Sequence, residues 1–146
     1  MKQVILITVL AALVAAPAAM SDRASGRSAA TLTVHSSRYG RILFDGRGFA
    51  LYAFTRDPRG RSVCTGACAK AWPPYTVKGA LRAAAGVKSG LIGTIRRANG
   101  SRQVTYAGRP VYYYVGDTKA GQILCQNVRE FGGLWLVVRP DGRLVR

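Results

Sequence analysis

Three cysteines, one histidine and a repeated aspartate are the residues on which chemistry would rest. Cys64 and Cys68 stand one turn apart on a helix, or across a tight loop if the segment is not helical. In an oxidising compartment such a pair closes a structural disulfide. A loop brings two Cα atoms within the roughly 4.4–6.8 Å that a bridge needs, whereas a regular helix fits poorly. Cys125 opens a second pairing. A Cys64–Cys125 bridge would staple a loop of about sixty residues, worth about 4 kcal/mol in the chain-entropy picture. A third reading leaves the sulfurs as thiolates for a soft ion such as Cu(I), with His35 supplying the only imidazole, or as a redox pair. The Cys-x-x-Cys spacing of thioredoxin-like redox sites is absent. Asp57 and Asp117 would make a carboxylate pair, but no neighbouring residue type in the sequence points to catalysis. Each falls where a strand ends, so its carboxylate can accept backbone N–H groups of the following turn.

Composition narrows the field. The chain has 146 residues, with 22 Lys+Arg against 6 Asp+Glu and a net charge of +16. That length allows one domain with a modest core. Carboxylates are too few for a calcium cage, and one histidine cannot build a multi-histidine metal centre. Triad chemistry would have to use His35 without a nucleophile elbow. There is no phosphate-cradling P-loop, and Glu130 is the only glutamate. A non-enzymatic role is the expectation.

The elements that must position these residues begin after an address. Met1-Lys2, an apolar run from Val4 to Ala16 and Ala16-Pro17-Ala18 read as a cleaved signal peptide over 1–18. The run is short of the roughly 20 residues that span a bilayer. No cysteine near the cleavage site is available for lipid attachment, so a secreted or periplasmic, soluble protein is expected. Residues 19–30 read as a flexible leader, and 31–146 as one domain. Short strands are expected at Thr31–His35, Arg41–Phe44, Phe49–Thr55, Leu91–Arg96, Gln103–Tyr106, Val111–Val115, Leu134–Val138 and Leu144-Val145. Asp45-Gly46, Asn99-Gly100, Ala107-Gly108 and Asp141-Gly142 supply the turn chemistry between them. A short helix or loop is expected around Cys64 and Cys68, stopped by Pro73-Pro74. Residues 77–90 are ambiguous. The fold class is a mainly β, small single domain of short antiparallel strands and hairpins.

The chain also repeats itself. Gly40 matches Gly100, Gly48 matches Gly108, and Tyr52-x-Phe54-x-x-Asp57 matches Tyr112-x-Tyr114-x-x-Asp117, each sixty residues apart. After one inserted residue, Gly60-x-x-x-Cys64 matches Gly121-x-x-x-Cys125, and Trp72 and Trp135 follow. The domain is therefore expected to consist of two related halves, about 40–72 and 100–135. Alternation places both rings of each Tyr-x-aromatic on one face of a strand, so a core role is expected for Tyr52, Phe54, Tyr112 and Tyr114.

These motifs resemble a bacterial secreted-repeat family of unknown function, the predicted lipoproteins with a Yx(F/W/Y)xxD motif. The resemblance rests on the Tyr52–Asp57 stretch, on Cys64-x-Gly-x-Cys68-Ala-x-x-Trp72-Pro-Pro74, on the Tyr112–Asp117 stretch, and on Phe131-Gly132-Gly133-x-Trp135. It covers nearly the whole expected domain. It implies an exported, envelope-associated protein and carries no settled activity. Two departures stand out. The lipid-attachment cysteine of many members is missing, and Cys125 stands where a glycine or polar residue is expected.

The positive charge fits attraction to anionic envelope components, either lipid head groups or cell-wall polymers. The arginines are scattered through turns and strand ends, with no compact basic block and no nucleic-acid motif. Specific nucleic-acid binding is not expected.

Overall fold

The computed structural model describes residues 30–146. The expected signal peptide over 1–18 and all but the last residue of the expected leader lie outside the described residues. The leader's last residue, Ala30, already belongs to the first strand.

Strands β1 (Ala30–Ser37) and β2 (Gly40–Asp45) form an antiparallel hairpin, with His35 opposite Ile42. Strand β3 (Tyr52–Phe54) and helix α1 (Ala67–Ala71) complete the first half. Strand β4 (Leu81–Ala83) follows in the stretch that the sequence left ambiguous, and it pairs parallel to β1. This is the one departure from antiparallel order among the described strands. A 3-10 turn at Ser89–Leu91 leads into β5 (Ile92–Arg96), β6 (Arg102–Tyr106) and β7 (Arg109–Tyr112). Strands β8 (Val128–Glu130) and β9 (Gly133–Val137) close the chain. Three strands form one sheet in the order β2-β1-β4, and six form the other in the order β5-β6-β7-β3-β9-β8.

Three expected strands are shorter than read. Phe49–Thr55 contracts to Tyr52–Phe54, and Val111–Val115 ends at Tyr112 because Tyr113 and Val115 pair instead with the carbonyls of Pro73 and Ala71. Leu144 makes only an isolated bridge with Val138. Strand β8 was not expected at all. It forms because Phe131 and Gly132 take positive φ of 51° and 78°, the two-residue turn that folds β8 back onto β9. Ala107 and Gly108, at 50° and 75°, do the same between β6 and β7.

Strand alternation splits the core into two layers. Ile42, Phe44, Tyr52, Phe54, Tyr112, Trp135 and Val137 enter one cluster together with Cys64, Cys68 and Trp72. Leu43, Leu51, Ala53, Val111 and Val138, which alternate with them, enter the other with Tyr75, Val104 and Tyr106. Every residue of β3 is buried, so this short strand is covered on both faces. Full burial of each such aliphatic or aromatic side chain stabilises the fold by about 1.5–3 kcal/mol.

The two halves are related by an approximate two-fold axis through the middle of the large sheet. Equivalent strands β3 and β7 pair antiparallel with Tyr52 opposite Tyr112, which is what such an axis requires. The relation extends outward. By strand register Leu43, opposite Val34, corresponds to Val104, opposite Thr94, a shift of one from the sixty-residue offset. Leu43 N–H donates to the Val138 carbonyl at 2.9 Å, and Val104 N–H donates to the Tyr75 carbonyl at 2.8 Å.

Candidate functional site

The repeated Tyr and Asp residues meet across the axis, each half serving the other. Tyr52 donates its hydroxyl to Asp117 Oδ2 at 2.7 Å, and Tyr112 donates to Asp57 Oδ2 at 2.5 Å. The remaining carboxylate oxygens accept backbone N–H groups. Asp57 Oδ1 takes that of Val63 at 2.7 Å, and Asp117 Oδ1 takes that of Leu124 at 3.0 Å. The glycines cross in the same way. Gly60 N–H donates to the Gly108 carbonyl at 2.7 Å, and Gly121 N–H donates to that of Gly48 at 2.8 Å.

All four groups of this double latch are buried. Burial raises the pKa of both aspartates and outweighs the lowering by the tyrosine and backbone donors. It also raises both tyrosine pKa values, with the neighbouring carboxylate adding to the effect. Both oxygens of each carboxylate accept a protein donor, which suits it to hold two loops together.

The two tryptophans stack on one another at the centre, 4.0 Å apart and 3° from parallel. Tyr52 meets Trp72 edge-on, and Tyr112 meets Trp135 edge-on. Phe54 stacks on Trp135 at 4.3 Å, and Tyr114 lies tilted against Trp72 at 4.8 Å. The Trp72 indole N–H donates to Glu130 Oε2 at 2.8 Å. That of Trp135 has no hydrogen-bond partner among the described residues. Gly133 lies against Phe54, where an added Cβ would stand 2.6 Å from the ring, and Gly132 holds the preceding turn.

The disulfide joins Cys64 and Cys68, with Cα atoms 5.2 Å apart. The helix does not obstruct it, because Cys64 precedes α1 and only Cys68 lies within it. The Cys64–Cys125 pairing is therefore not formed. Cys125 is a free, half-buried thiol packed against the central cluster, beside Tyr114. Burial raises the pKa of Cys125, and its thiol in turn pushes that of Tyr114 up to about 12. His35 is exposed on β1, with its ring edge-on to Phe44 at 5.4 Å. The copper reading needs Cys64 and Cys68 as thiolates, and these two sulfurs are bonded to one another. Among the described residues, no group of three His, Cys, Asp or Glu side chains comes together as a metal site.

The distribution of charge is the feature that sequence reading missed. Asp45, Asp57 and Asp117 are buried. Asp45 accepts the N–H groups of Arg47 and Phe49, the Arg47 guanidinium and the Tyr113 hydroxyl. Among the described residues only two ion pairs form, Arg47–Asp45 and Arg143–Asp141. The arginines at 38, 41, 56, 59, 61, 82, 96, 129 and 146 are exposed without an acidic partner.

Two clefts border the loops that the latch holds. One, of about 510 Å³, runs between 35–38 and 121–124. The other, of about 490 Å³, runs between 95–99 and the loop from Gly60 to Ala69. They occupy equivalent places in the two-fold arrangement.

A family described as a secreted repeat of unknown function matches twice, over residues 33–76 and 93–139. The chain belongs to this family. The two matched secreted repeats are the two halves whose tyrosines and aspartates cross. No curated protein and no solved structure gave a match. As a secreted-repeat protein the chain is exported and its activity is unassigned. Among the described residues no helix is long and apolar enough to cross a membrane.

Proposed function

We propose that this secreted-repeat protein is a non-enzymatic binding module that associates with anionic surfaces of the cell envelope, whether lipid head groups or wall polymers. The supporting observation is the segregation of charge: three carboxylates are withdrawn into the core while most of the arginines stand at the surface. A chain with 22 basic and 6 acidic residues gains further surface asymmetry when the acids are the buried ones. Such a surface attracts polyanions over roughly a Debye length, about 10 Å at 0.1 M salt.

Co-sedimentation with vesicles of rising anionic lipid content tests this reading. Binding should rise with anionic content and fall steeply between low and physiological salt. Binding that ignores salt overturns it. Intact mass before and after reduction separates the competing thiolate reading. A gain of two protons on reduction fits the Cys64–Cys68 bridge, whereas an exported protein with both thiols free that retains Cu(I) against a chelator would replace this proposal.

A further inference from the structure

We propose that the cleft between 60–69 and 95–99 is a binding site for a phosphate group, gripped by Arg61 on one wall and Arg96 on the other. The inference deepens the anionic-surface reading by giving it one discrete site. It rests on comparing two equivalent clefts within one molecule. The loop positions 60–62 of this cleft correspond to 121–123 of the other, and hairpin positions 95–98 correspond to 35–38. At the place of Arg61 the other cleft has Gln122, and at the place of Arg96 it has Ser36. The other cleft keeps one arginine, Arg38, whose Nη2 donates to the Ile123 carbonyl at 2.9 Å. The repeat thus supplies the same cavity twice and places the facing pair of cations in only one copy.

The cleft is built before any ligand arrives. Arg97 spans its two walls: Nη1 donates to Ser62 Oγ at 2.9 Å and to Gln103 Oε1 at 2.5 Å, and Nη2 donates to the Cys64 carbonyl at 2.7 Å. The Ser62 hydroxyl shares a 2.7 Å hydrogen bond with the latched Tyr112, and the Cys64–Cys68 bridge closes the loop behind it. Arg97 is therefore consumed as a brace. Arg61 and Arg96 are not. Arg96 spends one contact on the Gly100 carbonyl at 3.1 Å, and the Arg61 guanidinium has no partner among the described residues. No Asp or Glu lines the cleft.

Cations held beside a braced wall without a counter-ion favour an anion there. The arrangement selects among anions. A carboxylate offers its two oxygens along one edge, which suits one guanidinium. A phosphate directs oxygens to both walls at once, and the exposed Thr65 hydroxyl at the cleft adds a neutral donor. A fixed site loses little freedom on binding, so affinity is gained by preorganisation.

Calorimetry and amide NMR on the exported chain test the proposal with inorganic phosphate and glycerol phosphate as probes at low salt. Saturable binding of one equivalent is expected, with shifts at Thr65, Gly66 and Asn99. The double variant Arg61→Gln/Arg96→Gln should weaken binding at least about tenfold, the scale of one charge-assisted hydrogen bond. The double variant Arg82→Gln/Arg129→Gln removes the same charge elsewhere and should bind as the parent does. Equal losses in the two variants, or shifts confined to other surfaces, overturn the site. Phosphatidylglycerol vesicles then identify the source. A parallel loss in Arg61→Gln/Arg96→Gln assigns a lipid head group, and an unchanged vesicle affinity assigns a soluble phosphate ester. Sulfatide vesicles, anionic without phosphate, keep the two readings apart: salt-sensitive binding there supports the general surface association even if the cleft fails.

Discussion

The first and second repeats share a centre and differ at their margins. Both place an edge-on tyrosine against a tryptophan, a carboxylate across the axis and a glycine N–H on the opposite loop. After that, the first half closes with a short helix and a disulfide, and the second with the β8–β9 hairpin and a free thiol. What is present twice holds the halves together. What is present once is the disulfide loop and the arginine pair beside it, where the proposed site lies.

The largest effects should come from the shared centre. Trp72→Ala and Trp135→Ala should each cost about 3–5 kcal/mol in urea unfolding, because both rings are fully buried in one stack. A small cost at either position would break the equivalence of the halves. Next come the crossed tyrosines. Tyr52→Phe and Tyr112→Phe should each cost about 2–3 kcal/mol, since each strands a buried carboxylate. Their raised pKa values carry a pH signature. Both stay protonated in the fold while the unfolded chain ionises near 10.0, so their contribution is complete below pH 10 and is lost above it. The slope is about 1.4 kcal/mol per tyrosine per pH unit. Unfolding curves of the two Phe variants should flatten accordingly in that range.

The margins should matter less. Cys64→Ser/Cys68→Ser should cost about 2 kcal/mol, the value for so short a loop. Hydrogen exchange should then rise around 60–69 and leave the β8–β9 hairpin unchanged. A loss spread over both halves would show that the bridge supports the centre as well. The smallest effect is acidic. Asp57 and Asp117 have folded pKa values raised above 3.8, so the folded state takes up protons first. Their contribution is fully present below the unfolded value and is lost as pH rises through the folded one. The stability gap between the parent and Asp57→Asn/Asp117→Asn should therefore move in the parent's favour as the pH falls from neutral towards 4. Movement the other way would mean that the donors outweigh burial.

Much of the fold was legible because its signals are local. Turn pairs such as Ala107-Gly108, the alternation of Tyr52 and Phe54, and the sixty-residue offset can each be read from neighbouring letters. Strands β4 and β8 were not legible. Leu81–Ala83 has no strand pattern of its own and pairs only because β1 offers an edge. Val128–Glu130 depends on Phe131 taking a positive φ that its side chain does not advertise. The candidate site was less legible still. That Asp57 takes its tyrosine from the other half, or that Glu130 reaches Trp72 across 58 positions, depends on distant contacts. Arg61, Arg96 and Arg97 read as scattered charge until the loop and the hairpin meet. The internal alignment did hold the one usable clue, because Gln122 and Ser36 already differ from their arginine counterparts.

The crossed latch also bears on ancestry. A tyrosine whose hydroxyl bonds the aspartate of an equivalent unit, while that unit's tyrosine bonds the aspartate of the first, is the contact of an isologous dimer, carried here on one chain. A single repeat would find in a second copy of itself the acceptor, the glycine contact and the stacking ring that it lacks alone. Fusing two such units makes the partner permanent. It also frees each copy to change without its twin, and that freedom is what a lone pair of arginines requires.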